Sequence, residues 1–146
     1  RTEFRISLDG AQAVPNVTTS VSGFGHAVLD DVANTLSYSI TVTGLGFGTV
    51  LDGGGAETPG TVDDVTAAHF HIADRGASGG AAFNLFSQDA DDFAEVHNTD
   101  GSRTISGTWD TTDERQIRSP TIWPPSPVRR WAVTLASTST STPVGI

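Results

Sequence analysis

The feature that most constrains the fold is a strict alternation of apolar and hydroxyl side chains over residues 36–43. Leu36, Tyr38, Ile40 and Val42 share one parity, and serine or threonine occupies every position of the other. Successive side chains of a strand point to opposite faces of a sheet, so this pattern predicts a β-strand with one buried and one solvated face. Such strands are typical of antiparallel sheets.

The rest of the chain favours further short strands. Serine and threonine supply 34 residues and glycine supplies 16, while helical periodicity is almost absent. Turns are predicted at Asp9-Gly10 and Asp30-Asp31, a long loop over 52–64, and an acidic loop or single helical turn over 87–95. Strands are predicted over 4–8, 21–29, 36–42, 65–72, 81–86, 103–109 and 131–136, with a further one over 117–123. Seven or eight strands predict an all-β antiparallel sandwich or barrel.

The size and charge of the chain exclude several classes of protein. Its 146 residues predict a single domain, 1–146, with a polar tail over 137–146. The net charge is −9, which argues against nucleic acid and anionic membranes as partners. No apolar stretch is long enough for membrane insertion. The absence of cysteine excludes disulfides, thiolate nucleophiles and cysteine-bound metals.

The histidines are the residues most suggestive of chemistry. There are four, at positions 26, 69, 71 and 97. His69 and His71 flank Phe70, and in a strand their Cβ atoms lie about 7 Å apart on one face, close enough to hold one metal ion. Imidazole suits copper, zinc, iron or nickel. The alternative is a solvent-exposed pair with no ligand.

Two other chemistries are weakly supported. The segment Asp89-Ala90-Asp91-Asp92 is faintly similar to a calcium loop but lacks the glycine turn and distal glutamate of an EF-hand, so solvated turn residues are the preferred interpretation. A hydrolase is the other chemistry, since serine and aspartate are plentiful, but no carboxylate pair has a placement that indicates glycosidase work.

Five segments, in order along the chain, carry a family resemblance: residues 8–15 (LDGAQAVP), 22–25 (SGFG), 36–45 (LSYSI through GL), 66–73 (TAAHFHIA) and 106–109 (SGTW). Together they resemble the chordin-type (CHRD) domain of extracellular and bacterial envelope proteins. The family is itself similar to copper/zinc superoxide dismutase. The resemblance implies a Greek-key β-sandwich of about eight strands and a mature chain that is extracellular, periplasmic or attached to the cell envelope. The start at Arg1, with no signal peptide, suits such a processed chain.

The resemblance also implies a metal site. By analogy with the dismutase, a single copper ion would be held by His69 and His71, with His97 and His26 as further candidate ligands. The bridging histidine of the dismutase falls near Ala82, so copper is expected rather than a copper–zinc pair. The family's late histidine falls on Leu135, and leucine cannot bind metal.

Two functions follow from these observations. One is copper-dependent, superoxide dismutase-like chemistry, with superoxide as the small-molecule substrate and Arg75, Arg129 or Arg130 attracting the anion. The other is a non-enzymatic module that docks to other envelope or matrix proteins, with a structural or vestigial histidine pair. Its candidate anchor is the segment Ile122-Trp123-Pro124-Pro125.

Overall fold

The computed structural model describes residues 1–13, 15–46, 65–72, 80–85, 92–110, 113 and 131–137. Within these ranges, only the backbone is described at positions 66, 67, 69 and 72, in 80–84 and in 131–137. Apart from one 3₁₀ turn, Gly10–Gln12, the regular structure in these ranges is strand. No helix among them is long and apolar enough to cross a membrane. The strands are β1 Thr2–Asp9, β2 Ser22–Asp30, β3 Thr35–Thr43, β4 Val65–Ile72, β5 Gly80–Asn84, β6 Ala94–His97, β7 Arg103–Trp109 and β8 Trp131–Ser137.

These strands form two antiparallel sheets. One has five strands in the order β1-β2-β3-β7-β6, and the other has three in the order β5-β4-β8. Strand β3 therefore pairs with β7, although β4 to β6 lie between them in sequence, and β4 pairs with β8. The prediction of an all-β, antiparallel protein is confirmed.

The alternation in β3 decides which surface of the larger sheet is buried. Its four apolar residues are at most 6% exposed, whereas its serines and threonines lie on the outer surface. There the hydroxyls of Ser37 and Thr108 lie 3.0 Å apart, and those of Thr41 and Thr104 lie 2.8 Å apart. Hydroxyl pairs thus link β3 to β7 on the outer surface while the inner surface packs against the core.

The two sheets meet through a pair of aromatic rings. Tyr38 of β3 packs edge-to-face on Phe70 of β4, with ring centroids 6.0 Å apart and an interplanar angle of 72°. Burial raises the pKa of the Tyr38 hydroxyl well above its usual range, and the negative charges of Asp92 and Asp113 act in the same direction. The core around the two rings draws on both sheets and comprises Ile6, Leu8, Ala27, Leu29, Leu36, Ile40, Val42, Val65, Ala68, Leu85 and Ile105.

Most predicted strands agree with the structure to within two residues, and β4 and β7 have the predicted bounds. The predicted turns after β1 and β2 are also present. Asp30 closes β2, where its carboxylate accepts hydrogen bonds from the backbone of Ala33 and Val32, and these bonds lower its pKa. Strand β6 was not predicted, since 87–95 was assigned to a loop or helical turn. The predicted loop over 52–64 and strand over 117–123 lie outside the described residues.

Gly107 provides a test of the aromatic contact, because it is the register partner of Tyr38. A Cβ added at Gly107 would lie 2.8 Å from the Tyr38 hydroxyl and 3.2 Å from its Cζ. We expect Gly107→Ala to displace the ring and lower the free energy of unfolding by about 1–3 kcal/mol in urea denaturation. Ser106→Ala, one residue away on the outer surface, is the control and should change it by less than about 0.5 kcal/mol. Equal stability of the two variants would contradict this packing.

Candidate metal-binding site

Strand β4 carries the histidine pair, and its inner residues determine where the pair lies. Ala68 and Phe70 are 0% and 2% exposed and face the core. Because side chains alternate along a strand, positions 69 and 71 belong to the opposite, outward surface of the three-stranded sheet. His71 is half-buried, and its Nε2 atom is excluded from solvent. The described part of His69 is its backbone.

The neighbouring strands frame the two histidine positions. His69 is paired with Asn84 of β5 and Thr134 of β8, whereas His71 is paired with Ala81 and Ala132. The β4–β5 register advances from Phe83 to Ala81, so Ala82 is an extra residue at a β-bulge beside the pair. Bulges occur often next to functional sites, where they re-aim side chains. Ala82, near which the resemblance would place the dismutase's bridging histidine, is this extra residue.

The register also locates the position of the family's late histidine. Leu135 is the partner of Ala68, while Thr134 is the partner of His69. Partners in an antiparallel pair share one surface of the sheet. Position 135 therefore belongs to the core-facing parity, and a histidine there would stand on the opposite surface from positions 69 and 71.

His26 and His97 belong to the five-stranded sheet, so the structure does not place them beside the β4 pair. His26 is exposed on the outer surface of β2, between its register partners Arg5 and Ser39. His97 is half-buried in β6 and is the register partner of Arg103.

His97 takes part in an ion-pair cluster that the sequence analysis missed. Its Nε2 lies 3.1 Å from a carboxylate oxygen of Glu95, and Nε of Arg103 lies 3.8 Å from the same oxygen. The Glu95 side chain is 3% exposed and the Arg103 side chain 12%, so the cluster is largely desolvated. The spacing of Glu95 and His97, two residues apart in a strand, is the only sequence signal for it. Its local effect is to hold the edge strand β6 on β7.

Among the described residues, no group of three or more histidine, aspartate and glutamate side chains could hold a metal ion. Strand parity assigns both histidine positions of β4, 69 and 71, to one outward surface of the smaller sheet. Neutral imidazoles are good ligands for copper, so these donors suit the predicted ion as a partial ligand set. The other predicted elements of the site and its surroundings lie outside the described residues: Arg75, Arg129, Arg130, the acidic residues 89–91 and the segment 122–125.

A comparison with family models matches residues 4–140, nearly the whole chain, to the family described as CHRD domain. No curated protein and no solved structure matches the chain.

The ion-pair cluster makes a specific prediction about His97. We expect His97→Ala to lower the free energy of unfolding by about 1 kcal/mol, because Glu95 keeps Arg103 as a partner. Glu95→Gln should lower it more, by about 3 kcal/mol, because it leaves a largely buried guanidinium without a counter-charge. Urea denaturation checks both values. Copper titration of the folded variants should give the wild-type stoichiometry. A loss of copper in His97→Ala would instead identify this residue as a ligand.

Proposed function

Because the chain belongs to the CHRD domain family, we propose that it is an extracellular β-sandwich module that binds one copper ion through His69 and His71. CHRD domains occur in secreted or extracellular proteins. We further propose that the sandwich has the Greek-key arrangement of superoxide dismutase. The non-sequential pairings β3–β7 and β4–β8 support this, since they require the chain to cross between the sheets.

The burial of Phe70 is the observation that carries the copper proposal. With this ring locked into the core against Tyr38, the residues on either side belong to one outward surface about 7 Å apart. A single strand thus supplies two imidazoles without any loop having to bring them together. The register partners of His71 are alanines, which carry no donor atoms to compete for the ion.

The activity we propose is dismutation of superoxide. Copper supplies one-electron redox chemistry between its Cu(I) and Cu(II) states when it is bound. The contribution of this chain is to hold the ion with neutral imidazoles on the outward side of the smaller sheet. The net charge of −9 does not favour an anionic substrate over long distances, so attraction must come from arginines near the site.

Copper binding is tested by titrating the metal-free protein with Cu(II). We expect one ion per chain and a Cu(II) electron paramagnetic resonance spectrum with nitrogen coupling. His69→Ala and His71→Ala should each weaken binding at least tenfold. His26→Ala is the matched comparison, because it removes an exposed imidazole from the other sheet, and it should retain wild-type binding. Unchanged binding in the double variant His69→Ala/His71→Ala would contradict the proposal.

Superoxide consumption is measured separately on the copper-loaded protein. We expect a rate above that of the same copper concentration in buffer, and loss of this excess in His71→Ala. A loaded protein no faster than free copper would remove the enzymatic part and leave the metal-binding part. A protein that binds no copper would leave the non-enzymatic module as the function of the domain.

A further inference from the structure

The outer surface of the five-stranded sheet has an unusual chemical uniformity. Two of its three inner strands, β3 and β7, present only hydroxyl side chains outward: Thr35, Ser37, Ser39, Thr41, Thr43, Thr104, Ser106 and Thr108. The neighbouring strand β2 adds the exposed ring of Phe24, which is 67% accessible and is the register partner of Thr41. We call these residues the hydroxyl face. It is uncharged, although the chain carries many acidic residues.

A cleft lies beside the hydroxyl face, at the edge formed by β1 and β2. Its volume is about 540 Å³, and the residues that line it include Arg1, Glu3, Arg5 and His26. Arg5 and His26 are register partners, which places their Cβ atoms about 5 Å apart on the same surface. His26 is also the partner of Ser39, so the cleft is continuous with the hydroxyl face.

The charges in this cleft are available for a ligand. Among the described lining residues, two arginines and a histidine face one carboxylate, so the arginines alone make the cleft locally cationic on a chain of net charge −9. Within the described ranges, Arg5 and His26 are exposed and have no ion-pair partner. Arg103 differs, since it is buried against Glu95. An exposed, unneutralised arginine beside a histidine suits a carboxylate or another monoanionic group.

We propose that this cleft binds the carboxylate of a uronic acid polysaccharide whose sugar rings lie along the hydroxyl face. Serine and threonine hydroxyls both donate and accept hydrogen bonds, as sugar hydroxyls do, and Phe24 offers a flat apolar surface to a ring. A uronate carries one charge per sugar. Its repulsion from this acidic chain is therefore smaller than that of a densely sulfated polymer, and it is screened by physiological salt.

The test is calorimetric titration with a short oligomer of galacturonic acid. A chelator is present throughout, so that bound copper cannot contribute and the result is independent of the proposed metal site. We expect binding that weakens as salt increases. Arg5→Gln should weaken it about tenfold or more, as loss of a charge-assisted hydrogen bond implies. Glu3→Gln should strengthen it, because it removes the one carboxylate among the described residues that line the cleft.

Matched ligands and variants separate recognition of the charge from recognition of the sugar rings. The methyl ester of the same oligomer has the same sugars without charge, and it should bind at least tenfold more weakly to the unaltered protein. Phe24→Ala should weaken uronate binding several-fold, whereas Val32→Ala, at an even more exposed apolar position in the β2–β3 turn, should not. Equal affinity for acid and ester, or for the unaltered protein and a folded Arg5→Gln variant, would overturn the proposal. Tighter binding of a sulfated oligosaccharide would overturn its assignment to a carboxylate.

Discussion

The edge-to-face contact between Tyr38 and Phe70 is the interaction on which the arrangement of this domain depends. It joins the central strand of the five-stranded sheet to the central strand of the other, with ring centroids 6.0 Å apart. Gly107 stands opposite Tyr38 and leaves room for the ring. Because side chains alternate along a strand and Phe70 faces the core, positions 69 and 71 belong to the outer surface. A core contact thus determines where the candidate metal site lies.

The same periodicity bears on the position at which the family's late histidine would stand. Leu135 is opposite Ala68, which is fully buried, so an apolar residue is consistent with the register of β8. A histidine at 135 could share a surface with positions 69 and 71 only if β8 slipped by one residue, and such a slip would turn every side chain of the strand over. In this register, position 135 lies on the core-facing side of β8. The leucine there therefore does not stand where a ligand of the outer surface would be expected.

Sequence patterns predicted the fold wherever apolar and polar residues alternate in the usual sense. The alternation of β3 and the His69-Phe70-His71 motif of β4 located both strands and their inner residues. Strand β6 was not predicted because its pattern is inverted: Ala94 and Val96 are exposed, while Glu95 and His97 point inward. There the Glu95 carboxylate is the partner of both His97 and Arg103. No local rule predicts such an inversion, since the compensating charge comes from another strand. The distribution of the four histidines between two sheets likewise depends on topology.

The two candidate binding surfaces lie on the outward sides of different sheets, with the shared core between them. The pair on β4 offers neutral nitrogen donors suited to a soft or borderline metal ion. Arg5 offers a positive charge, and Arg5 and His26 both offer hydrogen-bond donors suited to an anion. Neither set has a residue in common with the other. Substitutions on one surface should therefore leave the other intact. A change at Tyr38 or Phe70 should disturb both, because the packing of these rings in the core determines which side of each sheet faces outward.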